Sequence, residues 1–433
     1  MKPAPTLPAA FLARNGQHLP APLQALQHSR GQSLQGMPLP TRKTENWKYS
    51  SRYLSFDEAL APTLAQSKDS DAAVMTTPVS GYRIVIRNGR VDQSASEFPD
   101  SAGLRVTPFS ELSNEDAQKL AERLDHSLDT ATTQMARLNT ARLEDGVFIA
   151  VAKDTEVDRP VYIQVFTDTD SGQQGSVYPR VMVEMGAFSK LTLVEQYDAG
   201  GDGSCLVNAV TEANLGDSAN LTYIRLTLEP ETIRHIGATG IRLGANSRFE
   251  SHCIGFGGVL RRHDLQVRFE APGAECSLNG VAVTQNSQHY DNHTVLEHLA
   301  GHCNSEETYR CMAAGKSHNI FNGRIHIHRD AQKTNAQMSN KNLLLSAEAE
   351  IDTKPELEIY ADDVKCAHGA TVGRLDPEAL FYLLARGIAR DEARTLLSMG
   401  FINEIVARIP LEDVRERVDQ RLAGFIQNNL IED

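Results

Sequence analysis

The chain has 433 residues, 41% hydrophobic and 23% charged, a balance that supports a folded protein of two or three domains and excludes the disordered class. A formal net charge of -13 and 6% aromatic residues leave no basic stripe or stacking platform for nucleic acid. No run approaches the ~20 apolar residues of a membrane helix, and the opening MKPAPTLPAAFLARNGQ lacks a secretory hydrophobic region, so the expected compartment is the cytoplasm. There, the six unclustered cysteines (Cys205, Cys253, Cys276, Cys303, Cys311 and Cys366) are expected as free thiols.

The first 30 or so residues are rich in Pro, Ala, Gln and Leu without a firm period and read as a helical or loosely held lead-in. YRIVIRNGRVD, Tyr82 to Asp92, sets two β-branched runs around Asn88-Gly89 and predicts a hairpin. Between Asn114 and Leu143 the spacing turns helical, with Leu120 and Leu124 on one face and Met135 and Leu138 nearby. These elements make residues 1–145 an N-terminal α/β domain, mostly helical with a small hairpin, ending near Gly146.

Beyond that boundary a six-residue unit recurs. It reads GAFSKL at Gly186, GDSANL at Gly216, GANSRF at Gly244 and GAECSL at Gly273, at intervals of 30, 28 and 29 residues, with weaker echoes at Gly301 and Asp330. Each unit has a small residue in fourth place and a large apolar one in sixth, and the segments between, such as KLTLVEQ and DLQVRFE, alternate as strands do. A strand cannot bury its apolar face alone, so such units must stack into one continuous core. The period therefore predicts a β-solenoid over residues 146–355, with the small residue at a tight corner and the sixth-place residue in an inward ladder.

The next stretch, PELEIYADDVKCAHGATVG from Pro355 to Gly373, places Cys366 and His368 two residues apart. In an extended strand both face the same way, and thiolate and imidazole are donors that zinc, copper and iron–sulfur chemistry select. On spacing alone the pair reads as a buried thiol beside a satisfied histidine. Residues 356–433 otherwise form a C-terminal helical domain. Asp376 caps a helix from Glu378 to Arg386 that stops at Gly387, a second helix spans Asp391 to Met399 and ends at Gly400, and a third follows Pro410. In that last helix Val414, Val418, Leu422 and Ile426 make an apolar stripe, open either to packing within the chain or to a partner.

Taken whole, Pro355 to Gly373 resembles the C-terminal motif of the SufB/SufD family, subunits of the SUF machinery that assembles iron–sulfur clusters, and within it the SufD branch. The likeness rests on Pro355, Leu357, Ile359, Asp362, Asp363, Val364, Lys365, Cys366, His368, Gly369, Thr371, Val372 and Gly373, with Ala367 where the family often has serine. LDPEALFYLLARGI, Leu375 to Ile388, continues it. A second matching block is LPTRKTENWKYSS, Leu39 to Ser51, which holds the only tryptophan, Trp47. The resemblance implies a right-handed parallel β-helix between the two flanking domains, and a non-catalytic scaffold rather than an enzyme. It implies a SufB-like partner at the end of the β-helix and a SufC-like ABC ATPase docked on the C-terminal helices. Carried onto this chain, it makes His368, with Cys366 beside it, a metal or cluster ligand at an assembly site shared with the SufB-like subunit, through which an iron–sulfur cluster passes transiently. Histidine ligation suits a product that must be released. Reduced flavin in the complex and a homodimer of the isolated chain are further expectations of the same kind.

Other constellations point elsewhere and are weaker. AAGKS at Ala313 to Ser317 lacks the upstream glycine of a phosphate loop, since Arg310 stands there, and GFGG at Gly255 to Gly258 reads as a solenoid turn. His289, His293, His298 and His302 with Cys303 form a dense group, and His326 and His328 share a strand face. Inside a strand repeat the first group would spread over different turns, so ordinary surface or core histidines are expected, with secondary metal contact open. The alternatives are a SufB-like cluster scaffold, a β-helix carbohydrate lyase and a metal-dependent enzyme built on the histidine group.

Overall fold

The computed structural model describes residues 6–12, 17–54, 56, 60–64, 79–128, 134–169 and 172–430; residues 129–133 of the expected helical stretch lie outside them. Helix α1 (Ala21–Leu34) packs in the N-terminal part against α2 (Asn114–Ala121) and α3 (Gln134–Ala141). Ser113 caps α2 by accepting the Asp116 amide at 3.1 Å, which satisfies one of the free donors of the first turn. Leu23, Phe109, Leu120 and Leu124 close around these helices.

Strands begin where Asn88-Gly89 turns the chain. β1 (Tyr82–Arg87) and β2 (Arg90–Glu97) pair antiparallel, with Asn88 at φ 46° and Gly89 at φ 82°, the two positive values that a tight hairpin demands. β3 (Leu104–Pro108) and β4 (Val147–Val151) also pair antiparallel, across the α2 and α3 excursion. From β5 (Val161–Thr169) the chain coils through β6 (Gln174–Val177), β7 (Arg180–Met185), β8 (Lys190–Gly201), β9 (Ser204–Leu215) and β10 (Asn220–Thr227). It continues through β11 (Ile233–Leu243), β12 (Arg248–Phe256), β13 (Leu260–Phe269), β14 (Glu275–Thr284) and β15 (His289–His298). The coiling ends with β16 (Asn304–Ala313), β17 (His318–Ile327), β18 (Asn335–Leu344), β19 (Glu350–Ile359) and β20 (Lys365–Gly373). One sheet runs β2-β1-β5-β8-β10-β12-β14-β16-β18-β20 and the other β3-β4-β7-β9-β11-β13-β15-β17-β19, with β6 on β9. Every pairing inward of the two end hairpins is parallel, so the chain is a β-solenoid with one continuous lumen.

The repeat sets the corners. Phe188, Ser218, Asn246, Gly273, His302 and Lys333 all have φ between 55° and 78° and form a stacked file of left-handed turns. The amide of each donates to a carbonyl of the next coil, as in Phe188 to Asp217 at 2.9 Å and Ser218 to Ala245 at 2.7 Å. The following residue is small and buried: Ser189, Ala219, Ser247, Ala274 and Cys303. This differs from the sequence alignment by one residue at the weaker echoes, whose units start at Ala300 and Ala331 rather than Gly301 and Asp330, and by two in one full unit. Cys276 pairs with Phe249, so the fourth unit starts at Ala271 rather than Gly273. A slip of two keeps strand parity, which is why Leu278 still faces inward.

Two further differences concern the C-terminal part. The solenoid continues past the expected boundary at 355, since β19 and β20 are its last coil. Helix α4 (Pro377–Ala385) follows, capped by Asp376 as expected, and then α5 (Arg390–Val406) and α6 (Glu412–Leu430). α5 runs straight through Gly400. That glycine costs about 1 kcal/mol against alanine, and burying Ile402, Ile405 and Val406 against the solenoid, at roughly 1.5–3 kcal/mol each, outweighs it. The α6 stripe of Val414, Val418, Leu422 and Ile426 is fully buried on the outer face of the first sheet, against Val194, Ile224 and Ile254 among others. Polar contacts fasten the same seam: Tyr162 Oη donates to Asp413 at 2.8 Å, Arg310 to Glu404 at 2.6 Å and Arg408 to Asn279 at 2.9 Å. Among the described residues no helix is long and apolar enough to cross a membrane.

Buried polar groups interrupt the apolar lumen. Glu195 accepts hydrogen bonds from Thr211 (2.7 Å), Tyr197 (2.8 Å), Tyr223 (3.0 Å) and Arg225 (3.0 Å), so its buried charge is fully met. Farther along, Tyr309 fills the space that Gly280 leaves open: a Cβ there would lie 2.0 Å from the ring. Beside it Glu307 has one donor, Thr294 Oγ1 at 2.5 Å, and its Oε2 has no partner among the described residues. Burial pushes the Glu307 carboxyl up to about 7 from an ordinary 4.5. The folded chain thus holds a proton that the unfolded chain releases, and stability falls as pH rises through that window, by an amount of order 3 kcal/mol. Thermal melts of Glu307→Gln, which keeps the shape without the charge, should match wild type near pH 5 and exceed it near pH 8.

Candidate functional site

Cys366 and His368 lie on β20, the final strand of its sheet. Parallel pairing aligns Cys366 with Ala336, Ser305, Cys276, Phe249, Leu221 and Leu191 on successive coils. His368 continues the file of Met338, Glu307, Leu278, Ser251, Tyr223 and Leu193. In every earlier coil these positions face the lumen, so both donors face the open end of the lumen, which no further coil covers. Among the described residues no further coil follows. Cys366 is half-buried against the end of the core, and His368 is exposed.

The segment leading into β20 is a further turn of the repeat. ADDVKC, Ala361 to Cys366, puts Asp363 at the corner, where its carbonyl accepts the Lys333 amide at 2.7 Å, and Cys366 in sixth place. Lys333 also forms an ion pair with the Asp363 carboxylate. Partial burial pushes the Cys366 thiol above the ordinary cysteine value, against a backbone hydrogen bond from Ala336 that lowers it. It is therefore a thiol at neutral pH and becomes a ligand only by losing its proton to a metal or a base. The other five cysteines are buried, which leaves Cys366 as the one that solvent reaches.

The edges of β19 and β20 complete the geometry. Both strands end their sheets on the same side, so each carries an unpaired row of backbone donors and acceptors. Ile359, Tyr360 and Val372 are large apolar side chains exposed beside them. A second exposed apolar group, Phe381, Tyr382 and Leu396, lies on α4 and α5.

The N-terminal block Leu39 to Ser51 straps the outer face of the second sheet. Trp47 is buried beneath the Arg262 guanidinium, 3.9 Å from the ring centre, while Arg262 donates to the Asn46 carbonyl at 2.7 Å and to Asp291 at 2.6 Å. Ser50 bonds His289 Nε2 at 2.8 Å and also donates to Asp291. These three residues were not linked by the sequence, and they bring a serine, a histidine and an aspartate together. They do not make a nucleophilic triad. The carboxylate holds the serine instead of His289 Nδ1, which has no partner among the described residues, and all three are buried. Burial drives His289 down to about 3, so it is neutral.

The remaining histidine group disperses as its strand setting requires. His293 lies 2.8 Å from Asp291 on the outer face, His298 faces inward and stacks on Phe269 at 4.0 Å, and His302 sits in a corner turn. AAGKS is likewise a turn, with Gly315 at φ 62°, and GFGG is another, at Gly257 and Gly258. Among the described residues, two groups have metal-ligand geometry, Glu297 with His326 and His328, and His318 with Glu350 and Asp352.

Comparison with known proteins matches two family models end to end. Residues 166–401 match the SufBD core domain of SUF system FeS cluster assembly, and residues 14–165 match the SufBD protein N-terminal region. The iron–sulfur cluster assembly protein SufD of Escherichia coli K12 is 30% identical over 413 residues, covering 93% of each chain. The chloroplastic protein ABCI7 of Arabidopsis thaliana is 29% identical over 94% of this chain and 86% of its own. An iron–sulfur cluster assembly SufBD family protein of Synechocystis is 28% identical over 89% and 87%. A solenoid that ends on a C-x-H strand, a tryptophan strap and both family models lead to one conclusion: the chain belongs to the SufBD family of the SUF system for iron–sulfur cluster assembly.

Proposed function

We propose that this chain is the SufD-type subunit of an iron–sulfur cluster assembly complex, a scaffold without turnover of its own that works in the cytoplasm. Its terminal coil meets a SufB-type partner, and His368 with Cys366 supplies one side of an assembly site through which the cluster passes. The observation that carries the reading is that both donors continue lumen-facing files into a coil that no further coil covers. Two donors are too few to hold a cluster, which ordinarily has four, so the rest come from the partner that pairs with the open edges. His368 is exposed to an incoming ligand, whereas Cys366 must first be deprotonated. Reduced flavin has no residue here to support it beyond the family likeness.

The ATPase contact belongs to α4 and α5 in this reading. The α6 stripe is already consumed by the solenoid, while Phe381 and Tyr382 are 71% and 56% exposed. Apolar aromatic side chains left in water on a folded surface mark a docking face.

Three measurements test this. An anaerobic pull-down from the native cell should bring down SufB-type and SufC-type partners, and the complex carrying His368→Ala should reconstitute little cluster; normal reconstitution by that variant sinks the assignment. If Cys366 ligates, the wild-type assembly rate climbs as pH rises above neutrality and the thiolate fraction grows, and Cys366→Ser flattens the climb. Phe381→Glu should release the ATPase while the SufB-type partner stays bound, and loss of both or of neither contradicts the docking face.

A further inference from the structure

Glu297 on β15 and His326 on β17 are direct partners on adjacent coils, and Glu358 on β19 continues their file. Their neighbours Leu296, Ile325 and Ile327 are buried in the lumen, so strand alternation turns Glu297 and His326 to the outer face of the sheet. His328, just past the strand end, stacks on His326 with ring centres 4.0 Å apart. The Tyr360 ring meets His326 edge-on at 5.5 Å. One donor atom from each of Glu297, His326 and His328 lies within 4.8 Å of the other two. Ligands of a single zinc-like ion, with bonds of about 2.0–2.2 Å, stand roughly 3 to 4 Å apart, so a small side-chain rotation closes the set.

The group is poorly explained as a hydrogen-bonded cluster. His326 Nδ1 is 3.9 Å from Glu297 Oε1, too far for a hydrogen bond. His328 Nε2 is shielded from solvent and has no hydrogen-bond partner among the described residues. Arg268 occupies the other carboxylate oxygen of Glu297 at 3.4 Å, which leaves Oε1 toward the histidines. Burial and the neighbouring His328 hold His326 below the ordinary histidine range, with Arg324 adding to them and Glu358 and Glu297 opposing, so the ring is a neutral donor at physiological pH.

We propose that Glu297, His326 and His328 bind a divalent first-row transition metal of the ferrous iron and zinc class, at a site built independently of Cys366 and His368. Two imidazoles and one carboxylate favour such ions over calcium and magnesium, which prefer all-oxygen sites. Glu297 and His326 remain 23% and 19% exposed, so water completes the coordination and the ion exchanges with solvent.

The test is cobalt titration of the chelator-treated full chain, followed by its visible absorption and by thermal melting. Wild type should bind one cobalt ion and melt higher with it. His326→Ala and His328→Ala should each weaken binding by on the order of tenfold or more and lose the melting shift, with their metal-free melting temperature reporting that they fold. The double variant Cys366→Ser/His368→Ala and the single variant His318→Ala should bind as wild type does. The proposal is overturned if wild type binds no cobalt, if both His326→Ala and His328→Ala bind normally, or if binding disappears instead with the double variant or with His318→Ala.

Discussion

Parallel backbone pairing between one coil and the next decides which side chains meet in this molecule. Because Asn220 sits on Lys190 and Arg248 on Asn220, every position along the unit becomes a file that runs the length of the lumen. A residue placed in a file inherits its direction, its neighbours and its burial, whatever its own chemistry. That rule explains how leucine, phenylalanine, cysteine, serine and alanine succeed one another at the same place. It also explains the cost of exceptions: Glu195 is tolerated because four donors from three strands converge on it, while Glu307, with a single donor, has its carboxyl pushed up to about 7.

The chemistry of the C-x-H strand follows from where the files stop. Positions that bury leucine in the first coils carry cysteine and histidine in the last one, where nothing lies above them. The same side-chain directions that make a core place, at the end of the stack, a pair of donors in its uncovered mouth. Function here is a boundary effect of the fold, and a soft-donor pair is the natural thing to place at a boundary meant for another subunit.

Much of this was legible in the sequence because the solenoid repeats. The spacing of Gly186, Gly216 and Gly244 gave the corners, and Asn88-Gly89 gave the hairpin. The repeat is obscured where glycine moves within the unit, at Gly273, and where it vanishes, at Ala361 to Cys366, so a boundary at 355 leaves the last coil outside the solenoid. Gly400 misled for a different reason: a local stop signal of about 1 kcal/mol yields to tertiary burial, which the local sequence does not display. His326 and His328 could be paired by eye, being two apart. Glu297 could not, because its neighbour is 29 residues away along the chain and adjacent only through coil register. The strap of Trp47 on Arg262 was invisible for the same reason.

A stack of coils that touch only their neighbours is a one-dimensional array, and such arrays fray or melt in segments. The C-terminal helices prevent that description from applying to this chain. Through Asp413 on Tyr162, Arg408 on Asn279 and Glu404 on Arg310, they join β5 to β14 and β16, several coils along the stack. Opening the β14 and β16 coils therefore strains contacts at β5, and the part of the solenoid beneath the helices is drawn toward the all-or-none unfolding of a compact domain. Amide exchange in β5 and β16 should accordingly be governed by the same opening event, a rigidity that a repeat array alone does not possess.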